Sequence, residues 1–375
     1  MNRRQLIRGA AGVCIAGVAT STRSQNTIVL GQSAPFSGPA SALGEQFRKG
    51  ALLQFDRVNA HGGVGGRHID LQSLDDGYEP DRCAANTKKH IERDVVALFG
   101  YIGTPTSLAA LPLAVNAKLP FIAPFTGAQA LREPFNRQAF HLRASYFDET
   151  AEIVKQLIAV GIRRIGVFYQ NDSYGKAGLE GVTRALKPHN LTTTGLGTVE
   201  RNTVDVDAAV KAILAEKPDA IVQVSAYRAC AAFIRAARKA GFGGTFYNVS
   251  FVGTQALARE LGVDARGVVV SQVMPFPFNG LTPLSGEYLA AGRSAEGEKF
   301  DPNYSSMEGF VAAKMFVEAA RRAGKNLSAD GLVGALESMH DFNLGGFFVD
   351  FSPTKHTGSK FVELTILLED GRVRR

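Results

Sequence analysis

The segment Phe99-Gly100-Tyr101-Ile102-Gly103-Thr104-Pro105-Thr106-Ser107 joins a strand-forming run to a helix-forming one, and its residue types suit the capture of an anion. Thr104 is a good N-cap and Pro105 a good first helical residue. A helix that starts this way presents free backbone N–H groups and hydroxyls, with Gly103 giving close access, and a carboxylate suits them. The same residues also describe an ordinary capped helix. Ala123-Pro124-Phe125-Thr126-Gly127-Ala128 forms a second such strand end. Later in the chain, strand ends deliver Asn171-Asp172-Ser173-Tyr174-Gly175, Ser225-Ala226-Tyr227 and Val249-Ser250-Phe251. Tyr174 and Tyr227 fit either a ligand cover or a core filling. In open α/β sheets, ligands bind beyond the carboxyl ends of strands, where all these segments fall.

Covalent chemistry has no comparable signal. The sequence lacks G-x-S-x-G, H-E-x-x-H, C-x-x-C and G-x-x-x-x-G-K-[ST], and its seven histidines are scattered without ligand spacing. No catalytic residue, metal or cofactor is expected. The cluster Gly62-Gly63-Val64-Gly65-Gly66 follows a helix and enters a strand, the reverse of a phosphate-binding loop, and reads as a helix stop plus turn.

The elements that must hold these loops alternate. Thr27–Gly31 reads as a strand, and Gly44–Asn59 as a helix with Phe47, Ala51, Leu52, Phe55 and Val58 on one stripe. Strands at 69–74, 95–99 and 121–123 and helices at 81–93 and 105–116 complete one cycle. A second begins with a helix over 149–160. Strands at 165–169, 195–199, 220–224 and 246–249 then alternate with helices at 175–186, 206–215 and 229–240. A strand at 268–270 leads into the Pro-rich Met274-Pro275-Phe276-Pro277-Phe278 crossover, and helices follow at 308–323 and 329–339. Runs 346–351 and 361–368 read as a hairpin pair. Two similar cycles predict an α/β fold of two doubly wound lobes, and repeated crossings between them predict a hinge.

With 375 residues and 45% hydrophobic content the chain has material for two cores. The formal charge of +7 raises the question of a nucleic-acid partner. Four arginines, at 3, 4, 8 and 23, precede the first acid, and without them 38 basic face 35 acidic residues, a balance of +3 with no phosphate-tracking run. No nucleic-acid partner is expected. Arg3-Arg4 followed by the apolar run Ala10–Ala19 reads as an export signal over 1–25, too short to span a bilayer. Asn2–Arg8 is similar to a twin-arginine signal, a route left open beside the general one. Cys14 goes with the signal, and Cys83 and Cys230 are expected as unpaired thiols in different lobes.

Taken in order, Pro35-Phe36-Ser37-Gly38-Pro39, Asn59-Ala60-His61-Gly62-Gly63-Val64-Gly65-Gly66-Arg67, Asp75-Asp76, Asp172-Ser173-Tyr174-Gly175, Tyr227 and Ala236–Gly241 resemble the leucine/isoleucine/valine-binding class of periplasmic solute-binding proteins of ABC transporters. The resemblance implies a type I periplasmic binding protein fold, with lobe one from 26–146 and 274–346 and lobe two from 147–273 and 347–375. It also implies a periplasmic monomer, not an enzyme, which takes a small carboxylate solute and delivers it to an inner-membrane permease. By resemblance the carboxylate sits on Thr104 and on Phe125 to Gly127, with Tyr174 and Tyr227 supplied by lobe two. Ser250 stands where amino-acid binders place an acid for the α-ammonium, so either an amino acid of branched-chain type or an aromatic or aliphatic carboxylate is open. Phe36, Phe125 and Phe251 suit a larger apolar ligand. A sensor module with the same site is a second reading, and an exported hydrolase a third.

Overall fold

The computed structural model describes residues 27–325 and 327–375, so the expected export signal lies outside the described residues. Three strands and three helices alternate at the start: β1 (Thr27–Ala34), α1 (Ser41–Ala60), β2 (His68–Asp75), α2 (Pro80–Glu92), β3 (Ala97–Phe99) and α3 (Thr104–Asn116). Then come β4 (Phe121–Ile122) and β5 (Ala139–Phe140), and these strands form one parallel sheet in the order β2-β1-β3-β4-β5.

The second cycle comprises α4 (Tyr146–Ala159), β6 (Ile165–Gln170), α5 (Ser173–Leu186), β7 (Gly195–Val199), α6 (Asp207–Ala215), β8 (Ala220–Val224), α7 (Tyr227–Lys239), β9 (Thr245–Asn248), α8 (Thr254–Leu261) and β10 (Val269–Gln272). Its sheet runs β7-β6-β8-β9-β10, which repeats the first order strand for strand, and then continues through two antiparallel strands. Both sheets reverse direction of winding beside their first strand, the switch point where an open α/β sheet leaves a crevice.

After β10 the chain forms α9 (Pro283–Glu296), α10 (Tyr304–Ala323), α11 (Ala329–Glu337), β11 (Phe342–Asn343) and β12 (Phe348–Val349), and ends in β13 (Glu363–Leu367) and β14 (Val373–Arg374). Helix α10 packs along α1 and buries Phe310, Val311, Met315 and Phe316, so the first lobe is completed by residues about 260 positions downstream of α1. The expected hairpin of 346–351 with 361–368 does not form. β12 pairs back onto β11, while β13 lies antiparallel to β10 and pairs with β14. The alternating pattern announces these two runs but carries no record of their partners, and the two-residue strands β5, β11 and β14 are too short to be announced at all.

Three segments connect the lobes: one from β5 to α4, one from β10 to α9, and one from β12 to β13. Cys83 and Cys230 are buried on α2 and α7, beneath different sheets, and are unpaired among the described residues. None of the described helices is long and apolar enough to cross a membrane.

Candidate functional site

Loops after β3 and β4 extend the first sheet beyond its last regular pair. The Phe125 N–H donates to the Tyr101 carbonyl at 2.7 Å and the Gly103 N–H to the Phe125 carbonyl at 3.2 Å. This registers Thr104 against Thr126, whose hydroxyls lie 2.6 Å apart. Thr126 also donates to the Tyr146 hydroxyl at 3.3 Å and accepts from the Ala128 N–H. Three buried hydroxyls therefore meet at the start of α3.

The N-cap of α3 is Gly103 rather than Thr104. Gly103 adopts a φ of 100°, Thr104 is the first helical residue, and its side chain makes no cap bond because Thr126 engages it. The first turn keeps its unpaired N–H groups, so the anion-binding character survives the one-residue shift. Gly127 is required for a different reason. Its carbonyl accepts from the Tyr146 N–H at 2.8 Å, and a Cβ there would lie 2.6 Å from that nitrogen.

The second lobe closes over these loops. Asp172 caps α5 by accepting from Tyr174 N–H at 2.9 Å. The buried Tyr174 ring lies 4.6 Å from Phe251 and 5.4 Å from Tyr146 between centroids. Phe251 in turn meets Phe125 across the cleft at 5.7 Å and Tyr78 at 5.9 Å. Tyr227 is buried as the first residue of α7, with Arg228 5.9 Å from its ring, and the Tyr174 hydroxyl donates to the neighbouring Ser225 carbonyl. Phe36 stands apart from this group: it is half-buried on the turn after β1, its N–H held by Asp75 and its ring faced by Arg48. Thr104, Thr126, Tyr174, Phe251 and Ser250 are all buried, so the cleft is shut. A surface hollow of about 420 Å³, lined by Arg57, His61, Lys314 and Arg321, lies on the outer face of α1 and α10, away from these strand ends.

Sequence reasoning missed the charged residues of this cleft. Ser250 is not acidic, but it holds an acid: its N–H and hydroxyl donate to Glu149 at 2.7 and 3.0 Å, and Ser271 adds a third donor at 2.6 Å. Burial pushes the Glu149 carboxyl above its ordinary range, while Arg143 and these donors oppose the shift. Arg143 is also wholly buried. It forks onto Glu308 of α10 at 2.8 and 2.7 Å and lies 4.0 Å from the centre of the Phe125 ring. Burial works against its charge, yet the field of Glu308 and the two bonds outweigh it and raise the pKa. Its Nη1 has no partner among the described residues. Tyr146 is pushed up to about 12, chiefly by burial.

A signal for part of this was present. Ser145 and Asp148 form a reciprocal capping box that starts α4 at Tyr146, three residues before the expected start. With that start, Tyr146, Glu149, Thr150 and Ile153 share one buried face.

Residues 27–366 match the profile of the family described as periplasmic binding protein, and the chain belongs to this family. Its members are substrate-binding proteins and not enzymes; they take small solutes, work with ABC transporters and reside in the periplasm. The structure resembles a possible leucine/isoleucine/valine-binding protein from Rhodopirellula baltica, with TM-score 0.89, 36% identity, and 93% and 96% of the two chains covered. A substrate-binding periplasmic protein from Ralstonia solanacearum gives 0.87 and 32%, over 92% and 99%. Among curated relatives, Leu/Ile/Val-binding protein homolog 8 of Brucella suis is 24% identical over 355 residues, 90% of this chain and 86% of its own.

Proposed function

We propose that the protein captures a small carboxylate-bearing solute between its lobes and delivers it to an ABC transporter permease. The observation that carries this reading is the meeting of Thr104, Thr126 and Tyr146 hydroxyls at the unpaired N–H groups of α3. Those donors suit a carboxylate without any covalent step. Phe125, Gly127, Tyr174, Tyr227, Ser250 and Phe251 would line the same cavity in the open state, with the lobes divided at 26–146 plus 274–346 and 147–273 plus 347–375.

Glu149 bears on the ligand's other end. A buried ammonium without an anionic partner is costly, and Glu149 beside Ser250 supplies one from α4. This supports an α-amino acid with an apolar side chain over a plain aliphatic or aromatic acid. Export through the segment 1–25 and a monomeric state complete the reading.

The test is calorimetry on the chain without residues 1–25, titrated with leucine and phenylalanine. Thr104→Ala should weaken binding at least tenfold, the loss of one charge-assisted hydrogen bond in a buried site. Unchanged affinity would remove Thr104 as the anchor.

A further inference from the structure

The turn between β2 and α2 holds a residue in an unfavourable conformation at the centre of the cleft. Tyr78 has a φ of 63° and is completely buried. Bulky side chains rarely adopt that region, and the strain is sustained only where the surroundings impose it. Here they do. The Asp76 carboxylate accepts from the Tyr78 N–H at 2.8 Å and is itself held by Ser33 at 2.7 Å.

The ring is fitted between the two lobes. On its own lobe it covers Gly103, where a Cβ would come within 2.2 Å of Tyr78 Cε2. From the other lobe Phe251 packs at 5.9 Å, and Gln170 Nε2 donates to the Tyr78 hydroxyl at 3.4 Å. The flanking residues bridge the cleft too: Glu79 accepts from Arg201 at 2.8 Å and Asn202 at 2.7 Å, and Asn202 also donates to the Gly77 carbonyl.

Gly103 directly precedes Thr104, so the Tyr78 ring begins beside the proposed carboxylate anchor and ends at Phe251. We propose that Tyr78 is the specificity-determining wall of the cleft: its ring fixes how long an apolar chain the closed site accepts. The proposal rests on the carboxylate reading for where the ligand starts. The length limit is its own claim.

The experiment uses the chain without residues 1–25 and two probe series, straight-chain 2-amino acids from alanine to 2-aminooctanoate and the matching unsubstituted carboxylates, with matched primary amides as a third arm. Affinity is measured by calorimetry for the parent, Tyr78→Gly, Tyr78→Leu and Tyr78→Phe. Tyr78→Gly, whose backbone suits the positive φ, should move the preferred length upward and favour the longest probes about tenfold, the scale of one methylene in an apolar pocket. Tyr78→Phe should keep the parent order, and Tyr78→Leu should fall between, which also decides the matter if the glycine variant fails to fold. An equal change at every length overturns the proposal and leaves Tyr78 as a lobe contact. Binding of the amides alone would overturn the carboxylate reading, while the order of lengths would still decide the role of Tyr78.

Discussion

Arg143 and Glu308 are 165 residues apart, yet they form a two-pronged ion pair between the first interlobe segment and α10 in a site closed to solvent. The same guanidinium covers Phe125, so one cation joins a helix of the first lobe to the loop beside the proposed anchor. Removing one partner strands the other charge. Glu308→Ala should therefore cost about 3–5 kcal/mol, seen as a lower urea midpoint with little change in slope. A loss below about 1 kcal/mol would mean that Arg143 finds another partner.

Glu149 should act on recognition. Its three donors stabilise the carboxylate, and Glu149→Gln keeps the shape while removing the charge. The parent should prefer leucine over 4-methylpentanoate by at least about tenfold, and the variant should reduce that preference to within about threefold. Competition calorimetry with both compounds reads the ratio directly.

Stability should fall as pH rises through the range set by Asp76. Burial, the largest cause, raises its folded pKa from 3.8 to about 6 against the pull of Ser33 and the Tyr78 N–H. Between those values the folded protein holds a proton that the unfolded chain has released. Unfolding is therefore hardest below about pH 4 as far as this group is concerned, and about 3 kcal/mol is lost by pH 7. Glu149 is shifted in the same direction, whereas Asp75, lowered to about 2 by the Ser37 and backbone donors against a burial cost, gains its smaller contribution below this window. Asp76→Asn can keep both hydrogen bonds, and its melting temperature should lose much less between pH 4 and 6.5 than the parent's. Matching profiles would place the titration elsewhere.

The Arg201 contacts to Glu79 and Asp172 are partly exposed, at 2.8 and 3.4 Å, so their contribution to stability should be under about 1 kcal/mol. Their effect should appear in closure instead. Arg201→Ala should enlarge the ligand-free radius of gyration in X-ray scattering and weaken ligand binding a few-fold, because a less populated closed state lowers apparent affinity. An unchanged scattering curve would assign closure to the remaining interlobe contacts, the aromatic ones and the hydrogen bonds of Asn202 and Gln170.

Much of this architecture was legible because strand and helix periods differ so clearly. The alternation, the two cycles, and the loops carrying Thr104, Thr126, Tyr174 and Ser250 all follow from local pattern. What remained hidden was created by distance along the chain. Glu149 becomes part of the cleft only when β9 and β10 bring Ser250 and Ser271 to it, and Arg143 acquires meaning from a helix 165 positions away. The start of α4 was readable from Ser145 and Asp148. Tyr78 was not, since nothing in Gly77-Tyr78-Glu79 announces that the tyrosine takes the left-handed conformation.

The interleaving of the lobes also orders their assembly in time. The first sheet is complete by residue 140, but the helix that covers α1 begins only at residue 304, and β13 joins the second sheet only from residue 363. A growing chain thus exposes two unfinished apolar faces until α10 and β13 have been made. Neither lobe can therefore complete its core from one contiguous stretch of the chain.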